Sequence, residues 1–187
     1  MSPLKAHKDW ATLLRNRLGG KASVVMYNDD DNVTQVPIFS SENSDGLVAA
    51  TIGLMDLNQS KKPNLVLRTE LMMYSRNNDK LVSNVLSTIA FYILKNGWRA
   101  NPGTVFESMV SMYFPETHLP HIFFTAPFQW EEWGNVNLDD RVIHPLLAIP
   151  VSDAEAELAT NRTGGVLESL WSDCGTDVFD WSRKSAA

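Results

Sequence analysis

The sequence has little cysteine, a deficit of basic charge and no long hydrophobic run. Cys174 is its only cysteine, so no disulfide can form within the chain, and such usage is typical of a reducing compartment. No apolar stretch approaches the roughly 20 residues that span a bilayer. The first residues also lack the basic segment and continuous apolar core of a secretory signal. We therefore expect a cytoplasmic protein that does not bind membranes.

Acidic side chains outnumber basic ones, with 22 Asp and Glu against 16 Lys and Arg, which gives a formal net charge of −6. This balance argues against a nucleic-acid partner, because phosphates attract basic surfaces, and it favours a cationic protein partner. The same modest negative charge also keeps many proteins in solution. At 187 residues, 44% hydrophobic and 20% charged, the chain has the size and composition of one folded domain, residues 1–187.

The chain lacks the motifs of common catalytic sites. It contains no G-x-S-x-G nucleophile elbow and no glycine-rich phosphate loop. Glu116, His118 and His121 have metal-like spacing, but Pro115 and Pro120 disfavour the helix that would align the two imidazoles. Cys174 has no nucleophile signature around it, and we expect a structural thiol. The sequence thus predicts no catalytic residue, no metal and no cofactor.

Hydrophobic periodicity predicts several helices and more strands. Apolar residues at helical spacing indicate helices over about 5–18 and 79–96, a third that begins at Ser152, and a short one over 166–171. Strands are expected at 23–27, 36–39, 47–54, 64–74, 121–126 and 141–149, while 106–114 fits either a strand or a short helical piece. Many of the strands follow one another as hairpins. This order predicts an α+β fold with a mostly antiparallel or mixed β-sheet and helices packed on its faces.

The segment HPLLAIPVSDAEAELA, residues 144–159, predicts a junction between a buried strand and a helix. Pro150 cannot donate to a ladder, so we expect strand pairing to end there. Ser152 and Glu155 then fit a capping box, in which each side chain bonds the backbone N–H of the other residue. Because this satisfies the first helical N–H groups, we expect the segment to support the fold rather than a site.

Two acidic segments are the candidate partner-binding surfaces. In the first, tryptophans flank two carboxylates and an acidic pair follows, a combination of aromatic anchors and charge that suits a basic protein. Its candidate residues are Trp130, Glu131, Glu132, Trp133, Asp139 and Asp140. The second is the turn formed by Asp29, Asp30 and Asp31. For both, the alternative is ordinary: the tryptophans complete a core, and the acids keep a turn hydrated.

Three segments together resemble a known family: LVLRTELMMYS, HPLLAIPVSDAEAELATNRTGGVLESL and DVFDWSRKS. They are similar to the bacterial suppressor-of-fused domain family over about residues 45–187. The residues that match its strand, turn and tail patterns are Glu70, Leu71, Ser75, Pro150, Ser152, Glu155, Asp177, Asp180, Arg183 and Ser185. Trp181 stands where the family often has a proline.

The resemblance implies a non-enzymatic protein-binding domain. Bacterial members look like immunity proteins that bind and neutralise a cognate toxin, and the acidic balance of this chain suits a basic toxin domain. A small enzyme of unknown chemistry and a housekeeping protein-interaction scaffold remain as alternatives.

Overall fold

The computed structural model describes residues 4–76, 81–128, 133–138, 140–161 and 165–187. The helices are α1 (Lys5–Leu18), α2 (Val82–Asn96), α3 (Asp153–Asn161) and α4 (Val166–Cys174). The strands are β1 (Lys21–Asn28), β2 (Gln35–Asn43), β3 (Gly46–Thr51), β4 (Thr69–Ser75), β5 (Val105–Phe106), β6 (His121–Thr125), β7 (Val136–Leu138) and β8 (Arg141–Val151). A short 3₁₀ turn, Leu54–Asp56, follows β3.

The strands form one mixed sheet in the order β1-β2-β3-β4-β8-β6-β5, and β7 pairs with β8 outside this path. Neighbouring strands are antiparallel except β4 and β8, which run parallel with Thr69 opposite His144 and Met72 opposite Leu147. Since β4 and β8 are far apart in sequence, the intervening chain must cross over, and α2 lies in that crossover. The predicted α+β class with a mixed sheet is confirmed.

A hydrophobic core lies on each face of the sheet. One core contains Trp10 of α1 and Trp171 of α4, together with Met72. The other contains the apolar stripe of α2 and the neighbouring strand residues Leu71 and Met73. Because successive strand residues point to opposite faces, β4 contributes to both cores, and all of its side chains are buried.

The observed strand β8 corrects the prediction that pairing ends at Pro150. Pro150 lies opposite Ile122 of β6, and the ladder continues to Val151 opposite His121. The pairing of β8 with β4 runs only as far as Leu147. Among the described residues, Pro150 thus has a paired strand on one side only, and its missing N–H disrupts no second ladder there.

The predicted bounds of the third and fourth strands, 47–54 and 64–74, are also corrected. The expected strand over 64–74 begins only at Thr69, because the chain before it folds back on a loop: Leu67 N donates to Asn58 Oδ1 (3.0 Å), and Leu67 O accepts from Gln59 N (2.8 Å). The expected strand over 47–54 ends at Thr51, since Gly53, at φ +110°, turns the chain into the 3₁₀ segment. The ambiguous residues 106–114 are mainly turns.

The predicted capping box at Ser152 is confirmed, and Glu155 has a second role. Ser152 Oγ accepts from Glu155 N at 3.2 Å, and Glu155 Oε2 accepts from Ser152 N at 3.0 Å. The same carboxylate is fully buried and pairs with the Arg183 guanidinium, Nη1 to Oε1 at 2.7 Å and Nη2 to Oε2 at 3.0 Å. It also accepts the indole N–H of Trp171 at 2.9 Å. The start of α3 is therefore the anchor of the C-terminal segment.

Other residues of the resemblance hold the same C-terminal segment in place. Ser185 Oγ lies 2.7 Å from Ser152 Oγ, and Arg183 Nη2 donates to the carbonyl of Pro150 at 3.0 Å. Asp177 accepts from Arg76 Nε at 2.5 Å, just beyond the end of β4. These contacts give the matching residues a structural role.

Candidate partner-binding surface

The turn between β1 and β2 is built around Asp29. Its Oδ1 accepts the backbone N–H groups of Val33 (2.8 Å) and Thr34 (3.1 Å), while its Oδ2 lies 2.8 Å from Lys95 Nζ at the end of α2. The hydrogen bond and charge of Lys95, aided by the two backbone donors, lower the pKa of Asp29 to about 2. Asp29 therefore fixes the shape of the turn and ties it to α2.

The other two aspartates of the turn face solvent. Asp30 and Asp31 are exposed, and Asp31 Oδ2 lies 3.4 Å from Lys95 Nζ. The carboxylates of Asp29 and Asp31 thus share a single ammonium, and the exposed Asp30 adds a third negative charge to the turn. The structure brings Asp29, Asp30 and Asp31 together, but only the last two can meet a partner.

The contribution of Asp29 to stability has a defined pH dependence. A lowered folded pKa means that its stabilisation is complete above the unfolded value of 3.8 and is lost as the pH falls toward 2. We expect Asp29→Asn to unfold at a lower urea concentration than the wild type near neutral pH. The amide oxygen of the new side chain can still accept from the two backbone N–H groups, but the ion pair with Lys95 is lost. The difference from the wild-type midpoint should shrink as the pH approaches 2; a constant difference would contradict this account.

A groove of about 620 Å³ lies beside the turn, between the end of β1, helix α2 and the 109–114 loop. Its floor is polar and aromatic: Tyr27 OH donates to Asn84 Oδ1 at 3.2 Å, and the hydroxyls of Thr88 and Tyr113 lie 2.6 Å apart. Met112, 50% exposed, forms part of the wall. Aromatic and methionine side chains with an acidic rim suit contact with protein side chains.

Only part of the other predicted surface, the loop that contains Trp133 and Asp140, lies among the described residues. Trp130, Glu131, Glu132 and Asp139 lie outside the described residues. Trp133 is only 3% exposed, because it packs edge-on against Trp10 with ring centroids 5.5 Å apart. Asp140 pairs with Arg141 at 2.7 Å. Trp133 is thus a core residue in this structure, as the ordinary interpretation of the loop expected, and the charge of Asp140 is partly compensated.

The histidines and the cysteine considered as chemical candidates do not converge on one site. His121 Nδ1 accepts from Ser108 N at 2.9 Å, which leaves the proton on Nε2 to be donated to Asp153 at 2.8 Å. His144 bonds Asn135 at 2.7 Å, whereas His118 and Cys174 are exposed. Within the described ranges, no group of three His, Cys, Asp or Glu side chains is placed to hold a metal ion.

Sequence reasoning found the acidic turn but missed the groove and the exposure of β1. The groove needs α2 and the 109–114 loop to lie beside the turn, and no local pattern reports this long-range packing. The strand was expected, but its apolar run Val24, Val25 and Met26 is half exposed, at 52%, 50% and 51%. The signal available in the sequence was the apolar run itself. It was not sufficient, because a run of consecutive apolar residues does not indicate which face of a strand is buried.

Comparisons with known proteins show the relationships of the chain. The model of the family described as Suppressor of fused protein (SUFU) matches residues 31–184. Immunity protein YqcF of Bacillus subtilis (strain 168) is 30% identical over 190 residues, with 99% of each chain covered. No helix among the described residues is long and apolar enough to cross a membrane.

Solved structures share the fold at low identity. A suppressor of fused homologue from Neisseria gonorrhoeae FA 1090 superposes with a TM-score of 0.74 at 12% identity, covering 97% of this chain and 96% of that one. A chain of the Sufu-Fu complex gives a TM-score of 0.66 at 14% identity, covering 96% and 90%. The family match contains the strand and turn residues that carried the resemblance and all of its tail residues except Ser185, and it covers residues 31–184 rather than about 45–187. The chain belongs to the suppressor of fused protein family.

Proposed function

We propose that the chain is a non-enzymatic, cytoplasmic immunity protein that binds and neutralises a cognate toxin. The observation that carries the proposal is its 30% identity to Immunity protein YqcF along 99% of both chains. Because the similarity extends from end to end, it covers the β1–β2 turn and the groove as well as the family core. The single, exposed Cys174 suits a reducing compartment.

The charge distribution supports a basic toxin domain as the partner. The net charge of −6 attracts a cationic protein at long range, and the exposed Asp30 and Asp31 concentrate negative charge beside the groove. An acidic inhibitor of this kind accelerates encounter and orients the partner before close contact forms. Glu131, Glu132 and Asp139, with Trp130, remain the second predicted surface.

The arrangement of the candidate catalytic groups supports binding rather than chemistry. Both nitrogens of His121 are engaged by Ser108 and Asp153, and His144 is bonded to Asn135. A general base needs a free nitrogen within reach of a substrate. The exposed His118 and Cys174 allow a direct comparison with the enzyme alternative. If His118→Ala or Cys174→Ala abolished cellular protection without unfolding the protein or weakening its complex with the toxin domain, the non-enzymatic proposal would fail.

Co-expression with the protein encoded by the adjacent gene, taken as the candidate toxin domain, tests the function. We expect the intact chain to restore growth of cells that express this toxin domain, and the two purified proteins to form a stoichiometric complex. Absence of both protection and complex would overturn the immunity proposal. Complex formation with a partner that is not toxic would favour the scaffold alternative.

Charge reversal tests the acidic turn. We expect Asp30→Lys with Asp31→Lys to slow association with the toxin domain roughly tenfold at low salt, because like charges then meet during encounter. The difference should narrow at high salt, where exposed charges are screened. The matched control is Glu116→Lys with Asp173→Lys, which changes the net charge equally at exposed positions on other elements. Equal slowing by both pairs would reject a local role for the turn.

A further inference from the structure

The strand β1 forms one edge of the sheet. It is paired with β2 without interruption, from Lys21 opposite Glu42 to Asn28 opposite Gln35, and it ends the strand order. Its other side has no strand beside it within the described part of the chain. Eight residues of extended backbone therefore present N–H and C=O groups in the spacing that a further strand requires.

This edge lacks the usual protection against strand addition. Proteins shield edges with central charges, prolines, bulges or very short strands. The sequence KASVVMYN has a single charge, at Lys21, and contains no proline, and its register contains no bulge. By contrast, β5 at the opposite edge of the sheet has only two residues. The long edge is the one left open.

Apolar side chains flank this backbone on both faces. Val24 lies opposite Phe39, whose ring faces the α1 core, and Val25 lies opposite Ile38, which faces the α2 core. Val24, Val25 and Met26 are each about half exposed. An added strand would cover side chains on both faces while its backbone pairs with β1, which is the mode of recognition called β-augmentation.

We propose that an extended, basic segment of the toxin docks on β1 as an additional strand, an inference that rests on the proposed immunity function. The charge at the end of the strand selects this occupant: β1 leads directly into the exposed Asp30 and Asp31 and borders the acidic side of the groove. A second copy of the chain would bring another net charge of −6 to the same place. Lysine or arginine in the incoming segment would instead meet these aspartates.

Introducing a charge into the edge tests the proposal with the toxin domain of the adjacent gene as the probe. Val25→Lys is expected to weaken binding of this domain at least tenfold, since a buried lysine would face a basic strand. Val142→Lys is the matched control, because Val142 is 42% exposed in β8 and lies away from this edge. Hydrogen exchange supplies a second readout: alternate amides of β1 are expected to become at least tenfold slower in the wild-type complex.

The outcomes separate this proposal from the proposed function. Protection by the wild-type chain together with equal affinity of the Val25→Lys and Val142→Lys variants would overturn the edge proposal and leave immunity standing. Unchanged exchange of the β1 amides in a stable complex would overturn it as well. Self-association of the free chain that Val25→Lys abolishes would assign the edge to a second copy and reject the toxin segment as its occupant.

Discussion

Replacing Arg183 with methionine is expected to lower the free energy of unfolding by about 3 to 5 kcal/mol. The substitution leaves the fully buried Glu155 carboxylate without the guanidinium that faces both of its oxygens. Burial would raise the pKa of Glu155, but hydrogen bonds from Arg183, Ser152 and Trp171 lower it below its ordinary value. Without Arg183 the carboxylate must remain charged in a buried site whose remaining donors are neutral, or take up a proton, and both outcomes cost stability.

Urea unfolding and thermal unfolding of a small set of variants measure this loss of stability. For a chain of this size, a loss of about 3 kcal/mol lowers the melting temperature by roughly 10 °C. Adding Glu155→Gln to Arg183→Met removes the uncompensated charge, so we expect the double variant to recover part of the loss.

Arg76→Met is the matched control for Arg183→Met. Arg76 binds the same C-terminal segment through Asp177, but the side chains of this pair are 49% and 42% exposed. Exposed pairs contribute about 1 kcal/mol or less. If Arg183→Met were no more destabilising than Arg76→Met, the buried ion pair would not be the anchor of the tail.

The parts of the fold that sequence predicted are those with local causes. Trp10 and Leu14 recur at helical spacing and predicted α1, and Ser152 with Glu155 predicted the helix start from side chains three residues apart. The strand-rich order predicted a sheet with helices on its faces. The family resemblance added Arg183, but without indicating what it contacts.

The rest depends on contacts between distant segments. Glu155 and Arg183 are 28 residues apart, and neither position alone indicates a buried pair. The parallel pairing of β4 with β8 joins one strand that precedes α2 in the sequence to another that follows it. Whether an apolar strand lies inside or at an edge is decided by this topology, so the run Val24 to Met26 could not be recognised as exposed from its composition.

Two acidic surfaces were predicted, and the structure distinguishes the parts of them that it describes. In the turn, the Asp29 carboxylate is bonded to backbone N–H groups and to Lys95. Asp30 and Asp31 are exposed and can contact a partner. In the other loop, Trp133 packs on Trp10. Composition favoured an acidic binding region in both places, but only the tertiary contacts show which side chains are already occupied.

Raising the pH from about 5 to 9 is expected to destabilise the wild-type chain through Glu70. This carboxyl is fully buried; its Oε1 accepts from Gly53 N (2.7 Å) and Met55 N (3.0 Å), and its Oε2 lies 2.5 Å from Thr51 Oγ1. Burial is the largest influence and raises the pKa of Glu70 from 4.5 to about 8, although the hydrogen bonds from Thr51, Met55 and Gly53 oppose it.

The direction of the pH effect follows from the proton balance. Between the unfolded pKa of 4.5 and the folded pKa of about 8, the folded chain keeps a proton on Glu70 that the unfolded chain has lost. The stabilisation is therefore complete below the unfolded value and is lost as the pH rises through the folded value. At about 1.4 kcal/mol per pKa unit, the loss amounts to about 5 kcal/mol.

Glu70→Gln isolates this contribution, because glutamine reproduces the hydrogen bonds of the protonated acid without titrating. Its amide oxygen can accept from Gly53 and Met55, and its amide nitrogen can donate to Thr51 Oγ1. We expect the variant to match the wild type near pH 5 and to exceed its stability increasingly toward pH 9. All other titrating groups are common to both proteins, so the difference in unfolding free energy reports Glu70 alone. A difference independent of pH would mean that Glu70 is already ionised in the folded protein, stabilised by its three donors despite its burial.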